Sequence, residues 1–231
     1  MLKISIIIPA FNEESTIIEL LKKVREVETE GFEKEIIVVD DCSSDDTLLL
    51  LESNKNLYTK LIKSKANSGK GAAVKKGLLN ATGEYILFQD ADLEYDPSDY
   101  QKLLKPVLNF KADIVIGSRL AASQLTRVYY FWHKLGNKFI TFLFNVLNNT
   151  TFTDIYSCYL LFRSDLLKPE DLWSDGWDQQ AEILSLIVSR GKSFYEVPVN
   201  YYGRTYEEGK KIRAHHAVAV LLTILRKRFF R

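Results

Sequence analysis

Much is missing from this chain, and each absence excludes something. Two cysteines, Cys42 and Cys158, are too few for a disulfide framework in 231 residues; they fit a reducing compartment, and neither has metal-ligand spacing. The three histidines include no His-x-x-x-His or His-Glu-x-x-His pair, so they make no zinc pattern. A Gly-x-Ser-x-Gly elbow is absent, which argues against a serine hydrolase. No segment reaches the roughly 18 consecutive apolar residues of a membrane-crossing helix. The longest candidate, Ala217 to Leu225, runs straight into Arg226-Lys227-Arg228. The apolar start, Met1 to Pro9, ends too early for a signal peptide and reads as a buried strand. A net charge of +1 provides no bulk field for nucleic acid, so none is expected as a partner. Internal repeats and low-complexity linkers are absent as well.

What remains is an ordinary globular composition, 46% apolar and 26% charged, at a length that suits one generous α/β domain. The first half alternates strand and helix patterns, the signature of a mostly parallel sheet flanked by helices. Strands are expected at Ile4–Ile8, Ile36–Val39, Leu57–Ile62, Tyr85–Gln89 and Ile114–Gly117. Asn12 suits the cap of a first helix and Ser44 that of a second. Gly71 to Asn80 reads as helix, Pro97 begins another, and Pro106 should kink or end it. The second half holds a long aromatic helical stretch from Gln124 to Asn148, a strand near Tyr159–Phe162 and a helix from about Asp178 to Ser189. Phe194 to Tyr202 reads as extended, with Pro198 favouring an edge. A final amphipathic helix is expected from Gly209 to Arg231. The expected division is 1–120, 121–213 and 214–231, as parts of one domain.

Open α/β sheets bind ligands beyond the carboxyl ends of their strands. Polar clusters fall at four such ends: Pro9-Ala10-Phe11-Asn12-Glu13, Asp40-Asp41, Asp90-Ala91-Asp92 and Gly117-Ser118-Arg119. Residues i and i+2 of an extended chain point the same way, so Asp90 and Asp92 would repel unless a cation sat between them. Mg2+ or Mn2+ suits such oxygens, and Glu94 offers a third. The alternative is a solvated turn after a strand. Asp40 suits hydrogen bonds from ribose or base, while Ser44 to Asp46 suit capping. Asn67-Ser68-Gly69-Lys70-Gly71 is a glycine-rich turn before a helix; it is neither a Walker loop nor a dinucleotide fingerprint, though Lys70 could meet a nucleotide.

As an ordered set these motifs resemble family 2 glycosyltransferases with the GT-A fold, and within them the dolichol- or polyprenol-phosphate hexosyltransferase branch. The resemblance spans about residues 3 to 213. It is carried by Ile8 to Glu14, Val38 to Thr47, Asn67 to Gly71, Gln89 to Pro97, Gly117 to Arg119, Thr153-Asp154 with Cys158, and Glu196 to Ile212. It implies a Rossmann-like GT-A sheet with a helical acceptor side. It also implies a nucleotide site lined by Pro9, Ala10, Phe11 and Glu13, with Asp40, Asp41, Lys70, Ala91 and Lys211 touching substrate. Asp90, Asp92 and Glu94 would hold the metal, with Asp92, Arg119 and Arg204 in catalytic roles. Two departures stand out. Cys42 replaces a glycine usual in the family, so the turn there should avoid a strongly positive φ. Tyr156 and Leu160 replace residues that relatives often have as acidic and lysine, which weakens any acceptor role for Asp154.

The implied reaction is inverting attack on the anomeric carbon of a hexose, with GDP-mannose favoured as donor and UDP-glucose as the other candidate. A lipid phosphate is already anionic near neutral pH and needs no base. A saccharide hydroxyl would need a carboxylate, for which Asp154, Asp178 and Glu182 are available, Glu182 reading equally as a plain surface residue. Arg127, Tyr129, Tyr130, Phe131, Trp132 and Lys134 have interfacial chemistry, and the tail Leu221 to Arg231 repeats it. The expectation is a cytoplasmic enzyme, peripheral on the cytoplasmic membrane face through its C-terminal helix and acting on a polyprenyl phosphate. The alternative is a soluble family 2 enzyme acting on a saccharide.

Overall fold

A computed structural model describes residues 1–121, 131–204 and 216–229. The readings that fall on Arg127, Tyr129, Tyr130, Lys211 and the last two residues lie outside these, as do the side chains of His133 and His216.

The chain alternates β1 (Leu2–Ala10), α1 (Ile17–Glu26), β2 (Phe32–Asp40), α2 (Thr47–Ser53), β3 (Lys60–Lys63), α3 (Lys70–Leu78), β4 (Tyr85–Phe88), α4 (Tyr100–Phe110) and β5 (Ile114–Ser118). It continues through α5 (Phe131–Asn148), β6 (Leu160–Arg163), α6 (Gln179–Arg190), β7 (Phe194–Pro198) and α7 (His216–Phe229). The strands form one sheet in the order β3-β2-β1-β4-β6-β5-β7. Only β6 runs against the others, antiparallel to β4 on one side and β5 on the other. Strands covered on both faces read as continuous apolar runs, and β1 is the plainest case, with Ile4, Ile6, Ile7 and Ile8 wholly buried. Pro198 closes β7 at the sheet edge, where its missing N–H leaves no gap in a ladder.

Several local expectations are corrected. Asn12 does not cap α1. It sits in the left-handed region and its side-chain carbonyl accepts the Ser44 N–H at 2.8 Å, tying the loop after β1 to the loop after β2. The helix starts five residues later, its first turn closed on the Glu13 carbonyl. Pro106 does not end α4, which continues to Phe110. The exit comes at Lys111, left-handed with φ 54°, and the Pro106 carbonyl accepts the Ala112 N–H. Leu57 lies in a short 3₁₀ turn, and β3 begins at Lys60. Cys42 adopts φ 63°, against the expectation that a non-glycine there would avoid positive φ. The turn is held from both sides, by Asp41 N–H on the Ala10 carbonyl and Ser43 N–H on the Asp40 carboxylate, and that overrides the preference of the side chain.

Candidate active site

The six parallel strands all present their carboxyl ends to one edge, and a cavity of about 300 Å³ lies there. The loop after β1 contributes Pro9, Ala10, Phe11 and Glu13, and the loop after β2 contributes Asp41. Lys70 enters from the first turn of α3; Asp90, Ala91, Asp92 and Glu94 follow β4, and Arg204 follows β7. Most of the residues singled out in the sequence thus meet in one place. Asp40 does not line the cavity. It is buried beneath, one oxygen on the Ser43 N–H and the other without a hydrogen bond. Asp41, itself buried, lines the cavity instead, accepting the Ser68 and Gly69 N–H groups at 3.0 and 2.8 Å.

The segment from Asp90 to Glu94 is a turn rather than an extension of β4, with Leu93 left-handed at φ 61°. Each carboxylate therefore finds its own partner. Asp90 pairs with Lys70. Asp92 pairs with Arg204 at 2.9 Å and also accepts the Glu94 N–H. Glu94 accepts the Tyr201 hydroxyl and the Arg204 N–H, both at 2.7 Å. Arg204 also lies 3.6 Å from Glu13. Burial, then the charges of Asp90 and Glu94, push the Asp92 carboxyl up to about 7, against the pull of Arg204. Lys70 is raised as well, for the opposite reason: burial disfavours its charge, but Asp90 outweighs that and holds the ammonium above its ordinary range.

A divalent cation is implied by the fold family, and the residues fit one. Asp90, Asp92 and Glu94 come together on one turn with Glu13 beside them in the cavity, and Asp92 is pushed up first by burial and then by the charges of Asp90 and Glu94, which a bound cation would relieve. Among the described residues no three carboxylate, histidine or cysteine side chains are gathered into a cage by themselves. Mg2+ and Mn2+ do not require such a cage, since they take one or two carboxylates and complete their shell with water and phosphate oxygens.

Arg119 is placed differently from its expected role. Its guanidinium makes a bidentate pair with buried Asp154, at 2.7 and 2.8 Å, and its N–H donates to the same carboxylate. It lies 5.1 Å from the centre of the Tyr201 ring and does not itself line the cavity. The other candidate bases are similarly engaged. Glu182 is not a surface residue: it is fully buried, accepts the Trp173 and Ser174 N–H groups and pairs with Lys227 of α7 at 2.7 Å. Asp178 accepts the Thr223 hydroxyl.

Trp177 and Tyr201 line the cavity and were not singled out as site residues. Lys70 lies 5.5 Å from the Trp177 ring. The segment just before Trp177 rests on the glycine-rich turn: Gly71 N–H donates to the Asp175 carbonyl at 2.9 Å, and a Cβ at Gly69 would stand 2.5 Å from that oxygen. The only hint of Trp177 in the sequence is an aromatic in a glycine-containing turn before a helix.

Comparison with known proteins agrees with this picture. The family model described as glycosyl transferase family 2 matches residues 5–169. An uncharacterized protein of Methanocaldococcus jannaschii is 29% identical over 231 residues, covering 99% of this chain and 93% of its own length. Glycosyltransferase AglJ of Haloferax volcanii is 31% identical over 87% of this chain, and a dolichol-phosphate mannosyltransferase of Pyrococcus furiosus 29% over 90%. The chain spans only 63% and 59% of the lengths of those two. Glucosyl-3-phosphoglycerate synthase of Mycobacterium tuberculosis, solved with Mn2+, UDP and glucosyl-3-phosphoglycerate, superposes with a TM-score of 0.71 at 20% identity, covering 98% of this chain and 80% of its own. That likeness shows the fold, a GT-A α/β sheet.

Proposed function

This chain belongs to glycosyl transferase family 2, and from that premise we propose that it is an inverting, metal-dependent hexosyltransferase acting on a polyprenyl phosphate. GDP-mannose is the favoured donor and UDP-glucose the second candidate. One observation carries the reading: five carboxylates and two cations, from the loops after five strands, line a single cavity at the carboxyl edge of the sheet. Such a site suits a nucleotide diphosphate, whose phosphates need cations and whose departure needs its charge neutralised. Asp90 and Asp92 are the residues that would hold Mg2+ or Mn2+, which when bound supplies that neutralisation. Pro9, Ala10, Phe11 and Asp41 would face the nucleoside, and Lys70 and Arg204 the phosphates. Lys211 is proposed to touch substrate on the resemblance alone. Arg119 would act through Tyr201 rather than by touching substrate.

Two observations favour a lipid phosphate over a saccharide hydroxyl. The first is the state of the candidate bases: Asp154 is held by Arg119, Glu182 by Lys227 and two N–H groups, and Asp178 by Thr223. An anionic phosphate nucleophile needs none of them. The second is the outer surface. Phe131, Trp132, Leu135, Phe139, Phe142 and Val146 make an exposed apolar stripe on α5, joined on α7 by Val218, Leu222 and Phe229. Neither helix contains an aspartate or glutamate, while Lys134, Lys138, Arg226 and Arg228 are basic and exposed, Lys227 being turned inward onto Glu182. Apolar stripes edged only by positive charge fit an anionic membrane surface. No helix of the described residues is long and apolar enough to cross one. The Pyrococcus relative carries the name of a dolichol-phosphate enzyme, which points the same way.

The test is direct. The protein is incubated with labelled GDP-mannose or UDP-glucose, a polyprenyl phosphate and Mg2+ or Mn2+, and the label is followed into organic solvent. A lipid-linked hexose is expected from one donor and from neither in Asp92→Asn. Transfer to a water-soluble saccharide or phosphorylated acid, with no lipid product, would replace this acceptor with that of the alternative.

A further inference from the structure

Arg204 is unusual in its company. One guanidinium contacts Asp92 at 2.9 Å and stands 3.6 Å from both Glu13 and Glu94, which come from the loops after β1 and β4. Its own N–H is fixed on Glu94 at 2.7 Å, so the backbone as well as the side chain is tied to the acidic turn. Yet the arrangement is incomplete. The Nε atom is buried and makes no hydrogen bond among the described residues, leaving a donor that a better acceptor would satisfy. Guanidinium groups bind phosphate through two parallel N–H bonds, a match that two carboxylates at 3.6 Å do not offer.

We propose that Arg204 is the resident counter-ion of the Asp92 carboxylate when no donor is bound, and that it yields this place to the metal only when a nucleotide diphosphate arrives to receive it. Metal and nucleotide then bind as a coupled pair. Metal alone must displace a cation already seated on Asp92 and leave that guanidinium with only the more distant Glu13 and Glu94. With the diphosphate present, the guanidinium gains bidentate phosphate contacts while Asp92 is released to the metal. The carboxylates exchange one cation for another, and at no stage does the cluster stand without positive charge. By the reciprocity of coupled sites, the metal must tighten nucleotide binding by the same factor as the nucleotide tightens metal binding. This rests on the proposal that the site takes a metal and a nucleotide diphosphate, and the experiment separates the two.

Mn2+ binding to the full chain is measured by the loss of the free-ion electron paramagnetic resonance signal, alone and with GDP or UDP, corrected for the metal–nucleotide complex in solution. Wild type is expected to bind Mn2+ weakly alone and on the order of 10-fold more tightly with the accepted nucleotide, inside the usual range of coupled sites. Arg204→Gln should bind Mn2+ alone about 10-fold more tightly than wild type and lose most of the coupling. Arg204→Lys, which keeps a cation at the position but not the bidentate fork, should follow the wild type in nucleotide-free Mn2+ affinity. Equal nucleotide-free Mn2+ affinity in wild type and Arg204→Gln would overturn the inference and leave the site assignment standing. So would a wild type whose Mn2+ affinity ignores both nucleotides, a measurement that needs no variant. If wild type binds no Mn2+ in any of these conditions, the proposed function itself fails.

Discussion

Replacing Gly69 by alanine tests how the donor cavity is built. Gly69 has φ 95° and ψ 164°, a conformation open in practice only to glycine. Its N–H donates to Asp41, and the space where a Cβ would go is taken by the Asp175 carbonyl oxygen, 2.5 Å away. Ordinary contact begins near 3.4 Å, so the backbone segment before Trp177 must retreat by about 0.9 Å or the turn must change shape. The conformational cost alone is about 1–3 kcal/mol. Retreat also breaks the Gly71 N–H bond to the Asp175 carbonyl, worth about 1 kcal/mol net. The sum, about 2–4 kcal/mol, lies within the margin of a domain of this kind, so the variant should fold at 25 °C. Its midpoint in urea should fall by the corresponding amount. Donor affinity should fall with it, since Lys70 and Trp177 flank the displaced contact. Urea titration followed by tryptophan fluorescence and nucleotide titration of the folded variant measure the two effects. A loss under about 0.5 kcal/mol with unchanged nucleotide affinity would refute the idea that these glycines exist to let two backbones touch.

Three further outcomes are expected. Asp154→Asn leaves the buried Arg119 charge uncompensated and should cost about 3–5 kcal/mol in denaturant, whereas replacing both residues with apolar ones of similar volume should cost less. Cys42→Gly removes left-handed strain of about 1–2 kcal/mol and adds unfolded-chain freedom of about 0.5–1, so a small gain in thermal midpoint is expected, and a loss would mean the thiol packs usefully. Glu35 is pushed up by burial, but hydrogen bonds from Ser5, Thr82 and Lys3 outweigh this and hold it below its ordinary 4.5. The native state therefore binds fewer protons there than the unfolded chain. The stability Glu35 adds is present above 4.5 and lost as pH falls through its lower native value, so the gap in thermal midpoint between wild type and Glu35→Gln should narrow on acidification.

What could be read in the sequence was whatever depends on short spacing. The buried strands, the acidic pair at the end of β4 and the glycine turn before α3 all announce themselves within a dozen residues. The rule that ligands sit beyond strand ends then brought Pro9, Asp41 and Asp90 toward one crevice, while Arg204 was pointed to only by the family resemblance. What could not be read depends on partners far along the chain. Arg119 follows a strand end as a ligand-binding arginine would, yet its charge is taken by Asp154, 35 positions away. Glu182 has the pattern of a surface helix position until α7 covers it with Lys227. Cys42 is held left-handed by hydrogen bonds its own identity does not predict. Trp177 enters the site because Asp175 rests on Gly69 and Gly71, about a hundred residues earlier.

The lone reversed strand has a consequence for anyone who would cut or graft this protein. Since β6 is inserted between β4 and β5, a fragment stopping near residue 120 would keep both neighbours but lose the strand that joins them. β5 would then be cut off from the rest of the sheet, its backbone unpaired. Chimeras that exchange the later half for that of a relative would rebuild the middle of the donor sheet at the same time. Altering what the enzyme glycosylates is therefore better attempted by changing loops and helix faces than by swapping halves.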